Sequence, residues 1–142
     1  MIVKENWTDE DFVKMKWTDC HIHAISFPDE KSELKLDIDY IFDPGIGEKT
    51  SKDRFWVSPC SLSFFNVQDL NVKGKFEEIV GFNIQQISRS NSILSSNRQN
   101  ALWDYTIKTD GGTIALRASG FILKVEKQPV LNDDTVLDRP EC

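Results

Sequence analysis

Cysteine, histidine, proline and glycine are all scarce in this 142-residue chain, at three, two, five and seven residues. The cysteines, at 20, 60 and 142, form no Cys-x-x-Cys pair. Their odd number and wide spacing exclude a disulfide framework and point to a reducing, cytoplasmic setting. The glycines build no phosphate cradle, because Gly45-x-Gly47 leads into no helical pattern and Gly111-Gly112 separates two strand-like runs. No apolar run approaches the roughly 18 residues needed to cross a bilayer. The opening Met1-Ile2-Val3-Lys4-Glu5-Asn6 lacks the apolar stretch of a secretory signal. Basic residues are also in deficit, with 17 Lys and Arg against 23 Asp and Glu and a formal charge of −6. A phosphate-backbone binder carries a basic stripe, since neutralising phosphates releases counterions. Acids recur here instead, at Asp9-Glu10-Asp11, Asp37 with Asp39, Glu77-Glu78 and Asp133-Asp134. Neither nucleic acid nor a membrane is therefore expected as a partner.

Nucleophile motifs are missing too. There is no Gly-x-Ser-x-Gly, and Cys20 beside His21 is no dyad, because neighbours on a strand diverge. Cys60 follows Pro59 with no histidine near it in the sequence. The expectation is a protein without catalytic residues and without a cofactor.

A hydrophobic fraction of 39% supplies a core for one domain. Residues 7–16 have the signals of a short helix. Thr8 is a candidate N-cap with Asp11 three residues on, Trp7 can staple to Phe12, and Phe12, Val13 and Met15 should dock on something larger. From residue 20 the period becomes two. His21 to Phe27 and Leu34 to Phe42 read as a hairpin, with Leu34, Leu36, Ile38, Tyr40 and Phe42 on one face. Matching apolar faces pairs Phe27 with Leu34, Ile25 with Leu36, His23 with Ile38 and His21 with Tyr40. Asp37 and Asp39 then project outward, near Ala24 and Ile22. Asp43-Pro44-Gly45 ends the strand, and a polar loop runs to Asp53.

Phe55 to Val57 and Ser61 to Phe64 are strand-like, and Pro59 between them marks a bend or an edge. Further strands are expected at 71–76 and 81–89, followed by a Ser/Asn-rich loop at 88–100. Leu102 to Thr109 and Thr113 to Val125 form a hairpin about Asp110-Gly111-Gly112, where glycine allows a positive φ. In the expected register Ile107 faces Leu116, Tyr105 faces Ala118 and Trp103 faces Gly120, with Asp104 diagonal to Arg117. The whole reads as all-β, a mainly antiparallel sandwich or open barrel of seven or eight strands with one short N-terminal helix. Residues 1–126 form the domain, and 127–142 are a polar acidic tail with little regular structure.

Three groups of residues invite a functional reading. His21 and His23 carry imidazole–metal chemistry, although the register above separates them from the carboxylates. Asp37 and Asp39 offer an outward acidic pair. Trp56 sits where the Pro59 bend leaves an aromatic ring at a rim.

The run Trp17-x-Asp19-x-His21, then Leu36-Asp37-Ile38-Asp39-Tyr40-Ile41-Phe42 and Phe55-Trp56-Val57-Ser58-Pro59, resembles a group of small, uncharacterised bacterial all-β proteins. Trp103-x-Tyr105-x-Ile107 and Ser119-Gly120-Phe121 look like that group's closing hairpin. The likeness covers most of residues 17–123, implies one compact β domain and transfers no site residues. In size, acidity and fold class the chain is also similar to the acidic immunity partners of bacterial polymorphic toxins. The function expected from the two together is a cytoplasmic, non-catalytic, protein-binding sandwich that neutralises a basic toxin domain. Asp37 and Asp39 would steer that partner and Trp56 would anchor it. One alternative is a metal- or small-ligand-binding protein using His21 and His23. Another is a homo-oligomeric accessory protein, though no residue pattern names an oligomeric state.

Overall fold

Strict alternation builds the central strand β3 (Leu34–Phe42), where Leu34, Leu36, Ile38, Tyr40 and Phe42 are all buried on one face. The structure, a computed structural model, describes residues 2–42, 55–76, 82–91 and 102–138. The other strands begin with β1 (Asn6–Thr8), β2 (His21–Ser26), β4 (Phe55–Phe65), β5 (Gln68–Gly74) and β6 (Ile84–Asn91). The remaining strands are β7 (Trp103–Thr109), β8 (Gly112–Ala118), β9 (Gly120–Val125) and β10 (Val130–Asn132). One sheet runs β1-β9-β4-β3-β2, with β10 also against β4, and the other runs β5-β8-β7-β6. Every pairing is antiparallel.

The two sheets meet at two corners. At one, the paired strands β4 and β9 continue into β5 and β8. Asn66 between β4 and β5, and Asp69 where the register of β5 shifts, take positive φ, a conformation that short polar side chains tolerate. Ser119 breaks the expected 113–125 strand at this corner, where its N–H donates to Phe65 O at 2.9 Å. At the other corner β2 bonds to the start of β6: Ile22 N donates to Phe82 O and Ile84 N to Cys20 O, both at 2.7 Å. An edge strand that would otherwise offer free backbone groups is thereby covered. The core between the sheets is strongly aromatic. The Phe64 and Tyr105 rings lie 4.9 Å apart, and Phe121 packs on Phe12, Trp17 and Tyr105.

The all-β expectation holds, and several finer expectations are corrected. The N-terminal helix is a 3-10 piece of six residues, Asp9–Lys14, preceded by strand β1. Pairing with β9 draws Trp7 and Thr8 into a sheet edge, which leaves too few residues for an α-helix. Asp11 Oδ2 accepts from Thr8 N at 2.9 Å and holds the turn. The Lys4 ammonium at 2.6 Å, then that N–H, hold the Asp11 carboxyl below its usual range. Phe12 and Met15 dock as expected, whereas Val13 is 91% exposed.

Pro59 neither ends nor splits a strand, since β4 runs straight through it. Its carbonyl accepts from Glu126 N on the side where the chain leaves β9 and returns as β10. A strand residue points N–H and C=O the same way, so the missing N–H falls where no ladder bond is due. The β7–β8 hairpin is two residues tighter than expected. Ile107 faces Ile114, Tyr105 faces Leu116 and Trp103 faces Ala118, while Asp104 directly faces Arg117 and accepts from its Nε at 3.0 Å. Neither turn glycine has a positive φ. Instead Thr109 Oγ1 accepts from Gly111 N and Gly112 N, both at 3.1 Å, and closes the turn. Gly112 serves close approach, since a Cβ there would lie 1.9 Å from Lys73 O on β5.

The C-terminal segment is more ordered than its composition suggests. β10 pairs with β4, Ser58 Oγ donates to Lys127 O at 2.5 Å, and Leu137 N reaches back to β3. Asp43-Pro44-Gly45, the loop to Asp53, Glu77-Glu78, the Ser/Asn-rich run beyond Asn91 and Cys142 lie outside the described residues. Among the described residues no helix is long and apolar enough to cross a membrane.

Candidate functional site

A bulge at His23 rearranges the residues that the alternation had separated. Ile25 faces Leu36 as expected, but Ile22 faces Ile38 and His21 faces Asp39, with His23 as the extra residue between Ile22 and Ala24. Both imidazoles therefore move to the outer face of β3, where Asp39 lies. His23 Nε2 is 2.5 Å from Asp39 Oδ2, and the two imidazole rings pack edge to face with centroids 4.9 Å apart. His21 Nδ1 pairs with Asn83 Oδ1 at 2.9 Å, and Asn83 Nδ2 donates to Asp110 Oδ2 at 3.0 Å. Leu137 N donates to Asp39 Oδ2 at 2.8 Å from the far end of the chain. One polar chain thus runs from Asp110 through Asn83, His21, His23 and Asp39 to the C-terminal segment, along the seam between the sheets.

The expectation that Asp39 faces solvent is overturned, because its exposure is 0%. A bulge shifts the register by one residue, and a one-residue shift exchanges the two faces of a strand. Asp37 stays on the outer face opposite Ala24 and is half-buried. Trp56 is half-buried against the core, facing Phe42 on one side and Leu131 of β10 on the other. The residues proposed as one contact surface are therefore not an exposed group.

The chemistry of the polar chain is limited. Each imidazole already has one nitrogen engaged, and among the described residues no group of three or more His, Cys, Asp or Glu is placed to hold a metal ion. The described thiols, Cys20 and Cys60, do not supply a nucleophile either. Burial pushes Cys20 and Cys60 both up to about 12, so each is a protonated, enclosed thiol at neutral pH.

A second cluster surrounds Arg89. Its guanidinium lies 4.3 Å from the Phe12 ring centre and 3.9 Å from that of Trp103, and it donates to Asp9 Oδ1 at 2.6 Å and to Tyr105 Oη at 3.2 Å. Burial raises the Tyr105 phenol further above its usual range. Asp9 fits because residue 120 is glycine, where a Cβ would sit 2.3 Å from Asp9 Oδ2. Arg89, Asp9 and Tyr105 answer one another, which marks the cluster as a clamp holding the 3-10 helix onto the sheets.

A large concavity among the described residues opens where the end of β3, the 3-10 helix and the start of β6 come together. It encloses about 720 Å³ and is lined by the rings of Trp7, Trp17, Tyr40 and Phe42, with Lys14 and Lys16 among its walls. Trp17 and Tyr40 meet edge to face with centroids 5.4 Å apart, and Tyr40 and Phe42 at 4.7 Å. Tyr40 Oη accepts from Lys16 N at 2.9 Å, which fixes the 15–17 segment over β3. Trp17 Nε1 is different: it is buried and meets no acceptor among the described residues. A donor left so costs about 1–3 kcal/mol. Sequence reasoning passed over this site because Tyr40 and Phe42 stand at core positions of β3. The available signal was Lys14-x-Lys16 immediately before Trp17, a pair of cations beside an otherwise apolar stretch.

No protein-family model matches the chain, and no curated protein and no solved structure matches it.

Proposed function

We propose that this chain is a non-catalytic binding protein whose recognition site is the aromatic cleft between the 3-10 helix, β3 and β6. The observation that carries the reading is a cleft of about 720 Å³ walled by Trp7, Trp17, Tyr40 and Phe42. Ligand sites of about 300–1,000 Å³ are mostly apolar, with a few polar groups that orient the ligand. The enclosed Cys20 and Cys60 thiols and the mutual pairing of Arg89, Asp9 and Tyr105 support a binding role over a catalytic one. A basic toxin domain as partner keeps the support of the net charge of −6 and of the fold class. Such a partner would have to meet acids other than Asp39.

The test uses a neutral aromatic probe, 2-naphthamide, titrated into the full chain while the four tryptophan indole N–H resonances are followed by NMR. The expected result is a saturable shift of the Trp7 and Trp17 resonances with Trp103 unmoved, since Trp103 lies under Arg89. No saturable shift, or equal shifts of all four, would remove the cleft as the recognition site.

A further inference from the structure

We propose that His21 and His23 form an exchangeable site for a divalent transition-metal ion of the zinc type, on the seam between the sheets and apart from the cleft. The hydrogen bonds fix which ring nitrogens are available. Asn83 Nδ2 donates to Asp110 Oδ2, so Asn83 Oδ1 is an acceptor and the His21 Nδ1 that meets it at 2.9 Å carries a proton. Asp39 Oδ2 accepts from His23 Nε2, which therefore carries one too. A neutral imidazole has a single N–H, which leaves a lone pair on His21 Nε2 and on His23 Nδ1. Neither nitrogen has a hydrogen-bond partner among the described residues. The buried side-chain polar atoms without a partner there are limited to Trp17 Nε1, so both of these nitrogens reach solvent.

Two imidazoles that hold one ion at about 2.0–2.1 Å from each nitrogen place their ring centres roughly 5 Å apart, and these centres are 4.9 Å apart. Each ring is braced through its other nitrogen, His23 by a carboxylate and His21 by an amide. Metal-binding histidines are oriented and made more basic in the same way. The Asp39 carboxylate stands directly behind His23 and that of Asp110 behind Asn83, so the local field favours a cation. Imidazole selects zinc, copper and nickel over magnesium and calcium, which take oxygen donors. No group of three His, Cys, Asp or Glu among the described residues is placed to hold a metal ion, so water completes the coordination. The ion is therefore exchangeable, unlike one in a four-ligand structural centre.

The test titrates zinc chloride into the untagged, metal-free full chain and follows the imidazole nitrogens by long-range proton–nitrogen NMR, at about pH 7.5 where an ordinary imidazole is neutral. His21 Nε2 and His23 Nδ1 should shift together and saturate at one equivalent, while magnesium chloride at the same concentration should move neither. His21→Gln and His23→Gln each keep an amide donor for the old partner. Each should abolish saturation of the remaining ring over the same zinc range. Asn83→Ala keeps both ligands but removes the brace on His21, so zinc should bind about 10- to 100-fold more weakly. Zinc taken up without movement of the two nitrogens, movement of one ring alone, or an equal response to magnesium would overturn the site. So would unchanged zinc affinity in either histidine variant or in Asn83→Ala. None of these outcomes touches the cleft, which 2-naphthamide tests separately.

Discussion

A carboxylate with no exposed surface costs several kcal/mol unless its lone pairs are met. Asp39 meets that condition through His23 Nε2 and Leu137 N, both on Oδ2. Removing the acceptor strands the partners as well, which makes the two obvious substitutions unequal. Asp39→Ala leaves an imidazole and a backbone N–H facing a void and should cost about 3–5 kcal/mol. Asp39→Asn keeps one carbonyl acceptor in place and should cost about 1–3 kcal/mol. Urea unfolding of both variants by circular dichroism checks the order. Equal midpoints would mean that the carboxylate contributes volume and not hydrogen bonding. By contrast, the exposed large apolar residues include Val13 at 91% and Phe27 at 61% exposure.

At the scale of elements, the 3-10 helix shows how a weak local structure is held by distant residues. Six residues cannot sustain themselves, so Arg89 of β6 clamps Asp9, and Gly120 of β9 leaves the space that Asp9 fills. Gly120→Ala should cost about 1–3 kcal/mol through overpacking. In an Asp9→Ala background the same change meets open space, so the double-mutant cycle should show a coupling of about 1 kcal/mol or more. Additive losses would mean that the glycine is needed for its backbone alone. This division between local and distant causes also explains which elements were legible in the sequence. The five inward residues of β3 follow from alternation, and the β7–β8 hairpin follows from its flanking runs. The bulge at His23 has no residue type to announce it. Its only trace is that Ile22 and Ile25, three apart, both seek the core, which no regular strand allows. Pro59 misled because its exemption depends on where β9 gives way to β10. Asp39 was misplaced for both reasons, since its cover comes from the bulge and from a residue 98 positions away. The cleft was hidden differently: Trp17, Tyr40 and Phe42 do occupy core positions, and only the assembled sheets show that the core opens there.

The molecule as a whole depends on its two corners being unlike. At the β4–β5 and β9–β8 corner, continuous strands carry the chain from one sheet to the other, so separation would break covalently continuous ladders. At the β2–β6 corner the sheets are joined by a few backbone bonds, backed by the polar chain through Asn83. That seam is thus the place where partial opening costs least. Asn83→Ala removes the contacts of its side chain to His21 and Asp110 and leaves the backbone bonds at 2.7 Å without lateral support. Losing about 1–3 kcal/mol locally should speed hydrogen exchange of the Ile22 and Ile84 amides by roughly five- to a hundredfold. Amides of the β4–β9 ladder should keep their rates unless global stability falls by a similar amount. Selective acceleration at the seam, read by amide exchange at neutral pH, would show that β2 and β6 part before the shared corner does. Acceleration spread evenly over both sheets would show instead that the two corners open as one unit, and the unlike roles assigned to them would be wrong.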